Sequence, residues 1–86
     1  MADPQIDKLV PNSVKLNTVL TVRMLGSNFD SCRLFINGAA HNSTFIKSTE
    51  IQVAIQLDIT GTAGKKAFKL QSRTGKFSNE MILTVA

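Results

Sequence analysis

The chain has little of the chemistry on which enzymes, metal sites and disulfide frameworks depend. Its 86 residues include no Trp or Tyr, one Cys and one His. A single cysteine excludes an internal disulfide, which small secreted animal domains usually need, and one Cys with one His is too few for a transition-metal site. These absences favour a cytosolic protein or a bacterial envelope protein that folds without disulfides.

Long apolar segments are also missing. No apolar run approaches the ~18 residues that a membrane span needs, so membrane insertion is not expected. The first residues, Met1 to Pro4, lack the basic and apolar stretches of a signal peptide. The length suits a single domain over residues 1–86. A Met followed directly by domain-like sequence is also typical of a domain excised from a larger protein, and we expect such an origin.

Catalysis needs convergent titratable groups, and none is evident in the sequence. A nucleophile–His–acid set would have to combine His41 with Asp30 or Asp58, and their spacing does not support this. Cys32 lies in an apolar alternation and is expected to be a small buried hydrophobe rather than a reactive thiol. The carboxylates are scattered singly, unlike calcium ligands. The chain is therefore predicted to be non-enzymatic, without cofactor or metal.

Apolar side chains recur at every second position, which is the pattern of a half-buried β-strand. The longest alternation, over residues 50–59, consists of Ile51, Val53, Ile55, Leu57 and Ile59. Similar segments cover residues 4–11, 18–25, 32–36, 65–72 and 78–85. In the mixed stretch between residues 39 and 49, Ile46 is the residue expected in the core. Short strands at this spacing predict an all-β fold of about six or seven strands, either a β-sandwich or a small barrel.

The motif Gly26-Ser27-Asn28-Phe29 follows the second alternating segment. Gly26 can adopt a positive φ or accommodate a bulge where the strand leaves the sheet. Asn28 can bond its neighbouring backbone and hold the turn, and Phe29 is expected to fill one end of the core. The motif is interpreted as shaping a turn, with no role in chemistry.

Other landmarks stand in a definite order around this motif. They are Pro4-x-Ile6-x-x-Leu9-x-Pro11, Asn37-Gly38 after the third strand, Ser48-Thr49-Glu50-Ile51, Gly64, Thr74-Gly75, and Ser78-Asn79 before the last strand. Together these landmarks resemble the IPT/TIG family over about residues 4–85. The resemblance implies an immunoglobulin-like β-sandwich of two antiparallel sheets.

The chain departs from some relatives of that family. Without Trp or Tyr it lacks the buried Trp and the Tyr corner of antibody-type sandwiches, and it lacks the basic recognition loops expected in Rel-type transcription factors. It is most similar to the versions found in bacterial surface and envelope proteins. In those versions the domain mostly links, spaces or binds, which implies an envelope or extracellular location.

The net charge of +4 is concentrated near the C-terminus. The hairpin over residues 64–78 contains five candidate contacts for a polyanion: Lys65, Lys66, Lys69, Arg73 and Lys76. Such a patch suits phosphates, acidic polysaccharide or an acidic partner. The alternative is a solvated face whose lysines protect a strand edge. Nucleic acid is not expected, because stacking aromatics and a groove-fitting element are missing.

Two apolar residues, Phe35 and Ile82, fall on positions predicted to face away from the core. In an immunoglobulin-like sandwich their strands flank the basic strand 65–72 in one sheet. Lys69 and Arg73 are predicted to share the outward face of that strand. The four residues Phe35, Lys69, Arg73 and Ile82 form a candidate interface, because a contiguous exposed apolar patch marks a contact surface.

Three functions are compatible with these features. The first is a non-catalytic interaction or spacer module of a bacterial envelope or extracellular protein, in contact with a neighbouring domain or a protein partner. The second is a carbohydrate- or polyanion-binding module that uses hairpin 64–78. Carbohydrate is less favoured, because most of the five Phe are expected in the core. The third is a dimerisation or DNA-contacting domain of a transcription factor.

Overall fold

The alternating segments form two β-sheets in a computed structural model of the chain, which describes residues 3–86. The strands are β1 (Gln5–Val10), β2 (Ser13–Val14), β3 (Leu20–Ser27), β4 (Arg33–Ile36), β5 (Ala39–His41), β6 (Thr44–Lys47), β7 (Glu50–Ile55), β8 (Gly64–Gln71) and β9 (Met81–Val85). A short helix, α1 (Leu57–Thr60), lies between β7 and β8. One sheet has the order β1-β3-β7-β6 and the other β2-β9-β8-β4-β5. The predicted all-β sandwich is confirmed.

The sheets differ in two details from the prediction. Residues 3–86 form nine strands rather than six or seven, because β2 is an additional short strand and the stretch between residues 39 and 49 contributes the short strands β5 and β6. The sheets are also not wholly antiparallel, since β2 pairs with β9 in parallel. Pro11 separates β1 from β2, and its missing N–H prevents the first ladder from continuing. The chain thus passes from one sheet to the other at this proline.

The strand predicted over residues 50–59 ends at Ile55. The prediction is therefore wrong for residues 56–59. Leu57 is 54% exposed and begins α1 instead of continuing the buried row. The buried Thr60 hydroxyl donates a hydrogen bond to the Thr18 carbonyl at 2.7 Å. This contact with a distant segment turns the chain at the end of the sandwich. No helix among the described residues is long and apolar enough to span a membrane.

The core lies between the sheets and uses alternate positions of the longer strands. Its fully buried side chains include Val22, Met24, Phe29, Leu34, Val53, Phe68, Leu70 and Leu83. Burial of each large apolar side chain contributes roughly 1.5–3 kcal/mol. Ile46, which the sequence places in the core, is 45% exposed on edge strand β6. That prediction is wrong, because β6 bulges between Phe45 and Lys47 and its side chains are exposed.

The Gly-Ser-Asn-Phe motif closes the end of β3. Gly26 does not have a positive φ. A glycine is needed there because strands β1 and β3 approach each other closely at this position. A Cβ there would overlap the main-chain oxygen of Gln5 and lie 2.8 Å from Cζ of the buried Phe29. Asn28 has a φ of 61°, and its Nδ2 donates to the carbonyl of Asp3 at 3.2 Å rather than to a neighbour. The motif therefore shapes the turn, as predicted, through contacts with the start of the chain.

An ion pair joins β3 to β7 on the outer surface of the four-stranded sheet. Arg23 donates from Nε to Oε2 of Glu50 at 3.1 Å and from Nη2 to Oε1 at 3.3 Å. Gln52 donates to the same carboxylate at 3.3 Å. The hydrogen bond from Arg23, followed by that from Gln52, holds the pKa of the Glu50 carboxyl below its usual range. Folding therefore favours the ionised carboxylate.

The ion pair predicts a loss of stability in acid. Because the pKa of Glu50 is lower in the folded chain, its contribution is fully present above the ordinary glutamate pKa of about 4.3 and disappears as the pH falls through the lowered value. We expect urea unfolding to show Glu50→Gln less stable than the natural chain at pH 7. That difference should shrink steadily as the pH is lowered from about 5 to about 3. A difference that stays constant over this range would show that the ion pair is not its source.

Candidate functional site

Strand β8 lies between β4 and β9 in the five-stranded sheet, in the arrangement that the resemblance to immunoglobulin-like sandwiches implies. Phe35 of β4 stands opposite Lys69 of β8, and Ala67 of β8 stands opposite Ile82 of β9. Directly opposed residues point to the same side of a sheet. Phe35, Lys69 and Ile82 therefore lie together on the outer face, while the alternate positions face the core.

The fourth residue of the predicted interface lies elsewhere. β8 ends at Gln71, and Arg73 is exposed in the turn that follows. The N–H of Ser72 donates to the carbonyl of Lys76 at 2.8 Å and closes this turn. The prediction that Arg73 shares the outward face of the strand with Lys69 is therefore wrong, because the strand ends before Arg73.

The remaining basic residues of the hairpin are divided among different surfaces. Lys65 stands opposite Thr84 on the outer face. Lys66 stands on the core side of the strand, opposite the buried Leu83, and its Nζ donates to the Thr62 hydroxyl at 3.0 Å. Lys76 lies in the turn with Arg73. The five candidate polyanion contacts are thus not gathered on one face.

Sequence reasoning missed Phe77, which follows the turn after β8. Its ring meets that of Phe35 edge to face, with centroids 6.0 Å apart and an interplanar angle of 64°. The ammonium of Lys69 lies 4.4 Å from the centroid of the Phe77 ring. We call Phe35, Lys69, Phe77 and Ile82 the outer-face cluster. The sequence did contain a signal for Phe77. It is an aromatic residue just after the predicted turn at Thr74-Gly75, and no predicted strand places it in the core.

A second feature, the edge cleft, opens between the sheets where the chain crosses from β5 to β6. Its volume is about 790 Å³. It exists because β6 pairs with β7 only between Glu50 and Gln52, which leaves the next part of β7 without a neighbour on that side. The polar residues that line the cleft are Arg33, His41, Asn42, Ser43, Gln56 and Asp58.

His41 and Asp58 meet at this cleft, although their sequence spacing did not suggest it. His41 Nε2 lies 3.5 Å from Asp58 Oδ2, and His41 Nδ1 lies 3.1 Å from the carbonyl of Asn42. Cys32 also lines the cleft, but partial burial, and then the charge of Asp30, raise the pKa of its thiol. A raised pKa disfavours the thiolate that a cysteine nucleophile requires.

No group of three or more His, Cys, Asp or Glu side chains within residues 3–86 is arranged to hold a metal ion.

A smaller cavity of about 380 Å³ continues from the edge cleft and shares Cys32 and Ser43 with it. We call it the side cleft. Phe45 lines it and is 52% exposed. Of the five Phe, only Phe29 and Phe68 are fully buried. The expectation that most of them belong to the core is therefore wrong.

Comparison with known proteins supports the fold and little beyond it. No protein-family model matches the chain, and the search of curated proteins gave no significant match. Among solved structures, the chain is similar to the gamma-CGTase from alkalophilic Bacillus clarkii, with a TM-score of 0.75 and 18% sequence identity. The match covers 98% of this chain and only 12% of that one. The chain therefore has the fold of one small part of a much longer protein.

Proposed function

We propose that the chain is an IPT/TIG-type, immunoglobulin-like module that docks without catalysis on a neighbouring domain of a larger bacterial envelope or extracellular protein. The order of its sequence landmarks supports the family assignment. Its match to 12% of a longer chain supports a place beside other domains. Docking would use the outer-face cluster.

The outer-face cluster is the observation that carries this proposal. Phe77 is 47% exposed and Ile82 is 40% exposed, and both lie on the sheet surface that contains Phe35. Single exposed apolar residues are normal on any protein. Aromatic and aliphatic side chains grouped on one exposed face are instead typical of the centre of an interface.

The charges beside the cluster indicate the chemistry of its partner. Lys69 already contacts the face of the Phe77 ring, and Lys65 extends the same outward row of β8. An apolar surface with an acidic rim would bury the rings and pair with both ammonium groups. We therefore assign the partner as a neighbouring domain with such a surface.

Hydroxyl-radical footprinting of the intact parent protein and of this domain alone tests the proposal. We expect the side chains of Phe77 and Ile82 to oxidise at least about fivefold more slowly in the parent, because the centre of an interface excludes water. Lys69→Glu in the parent should restore much of their oxidation by placing a negative charge against the acidic rim.

Phe45 and Ile46 provide a matched control. They are the same residue types as the test pair, are similarly exposed, and lie on edge strand β6. Their oxidation should be alike in the domain and in the parent. Equal oxidation of Phe77 and Ile82 in both proteins would exclude docking through the outer face. Protection of Phe45 and Ile46 instead would show that contact occurs at the sandwich edge.

The alternative functions draw less support from the geometry. The polyanion hypothesis needs a gathered basic patch, whereas Lys66 lies on the opposite side of β8 from Lys65 and Lys69. DNA contact would need more positive charge on one face than these residues supply.

A further inference from the structure

We propose that the edge cleft and the side cleft together bind a neutral oligosaccharide, at a site separate from the outer-face cluster. The volume of the edge cleft, about 790 Å³, lies within the range of known small-molecule sites, roughly 300–1,000 Å³. The side cleft extends it along the same edge. Because the two clefts share Cys32 and Ser43, a ligand longer than one sugar ring can contact both of them.

The residues that line the edge cleft supply both hydrogen-bond donors and hydrogen-bond acceptors. Asn42 and Ser43 come from the loop between β5 and β6, whereas Gln56 directly follows β7 and Asp58 belongs to α1. All four are exposed. Amide and hydroxyl groups both donate and accept, and a carboxylate accepts two hydrogen bonds. Sugar hydroxyls need this mixture, because each of them is at once a donor and an acceptor.

Phe45 supplies the apolar surface that sugar binding also needs. It pairs with the buried Ile51 in the β6–β7 ladder, and it therefore lies on the core-facing side of the sheet at the rim of the side cleft. Its 52% exposure leaves much of the ring free. The carbon–hydrogen face of a sugar ring can pack there while its hydroxyls reach Ser43, which lines both clefts.

The charges around the groove favour a neutral ligand over an anionic one. Asp58 lines the edge cleft and Asp30 lines the side cleft. Arg33 contributes one positive charge, and His41 already faces Asp58. The lining therefore has two carboxylates against one guanidinium, a balance that disfavours a polyanion.

Titration of the ¹⁵N-labelled chain with maltohexaose, cellohexaose and an oligogalacturonate tests this proposal by amide chemical shifts. We expect at least one neutral hexasaccharide to shift residues 41–45 and 56–58, and the acidic probe to leave them unchanged. Phe45→Ala and Asp58→Asn should each weaken binding of that hexasaccharide by about fivefold. Unchanged amide chemical shifts outside the groove in both variants would show that the fold is retained.

Ile46→Ala is the matched control, because Ile46 adjoins Phe45, is similarly exposed and lines neither cleft. It should bind as tightly as the natural chain. The proposal is overturned if neither neutral probe shifts the groove residues at millimolar concentration. It is also overturned if Ile46→Ala and Phe45→Ala weaken binding equally, or if only the oligogalacturonate binds and shifts Lys65 and Lys69.

Discussion

Replacing Gly26 with alanine should lower the free energy of unfolding by about 3 kcal/mol or more, the upper end of the cost of overpacking. The added Cβ would overlap the Gln5 main-chain oxygen and press on Phe29 at 2.8 Å. Neither neighbour can yield easily, because Gln5 belongs to strand β1 and the Phe29 ring is fully buried. Domains of this length have only about 4–13 kcal/mol of stability. The melting temperature should therefore fall by more than about 12 °C.

Gly38→Asn separates this collision from the general effect of losing a glycine. Gly38 has a φ of 84° and no atom within 4 Å of the position where a Cβ would stand. Asn tolerates this backbone region, so we expect a loss of about 1 kcal/mol or less. Equal losses at Gly26 and Gly38, measured by thermal unfolding, would contradict the steric explanation.

Phe68→Ala should cost about 3–5 kcal/mol, whereas Phe77→Ala should cost only about 1 kcal/mol. Phe68 is fully buried, opposite Ile36 on one side and Met81 on the other. Its removal leaves a cavity at the centre of the five-stranded sheet. Phe77 is half exposed, and its loss removes one edge-to-face contact with Phe35 and one contact with Lys69.

Urea denaturation of the two variants measures this difference, with the slope of the transition as a check that both unfold in the same way. The result bears directly on function. If Phe77→Ala destabilised the chain as much as Phe68→Ala, the outer-face cluster would be part of the folding core. A small loss would leave its exposed rings without a structural explanation and would strengthen the proposal that they contact a partner.

The outer-face cluster shows how far the candidate site was predictable. The outward position of Phe35 and Ile82 followed from their places in the alternation, and the flanking of β8 by β4 and β9 agrees with the resemblance to immunoglobulin-like sandwiches. Arg73 could not be placed correctly, since the end of β8 depends on a turn closed between Ser72 and Lys76. Phe77 was missed because it belongs to no regular strand.

By itself, the amino-acid sequence determined that this chain is all-β with a core of alternating side chains, and the order of its landmarks favoured a sandwich over a small barrel. A period of two decides which side of a strand is buried, whatever the strand's neighbours are. It also determined the hairpin at Asn37-Gly38, whose φ angles of 51° and 84° are those that this dipeptide favours.

Only the tertiary structure decided where the strands end and which distant side chains meet. The strand from Glu50 stops at Ile55, Asp58 reaches His41, and an open groove remains between the sheets. The physical reason is that strand ends and edge gaps depend on pairing between segments far apart in the chain. Local alternation records only the burial of each residue and carries no information about its distant partners.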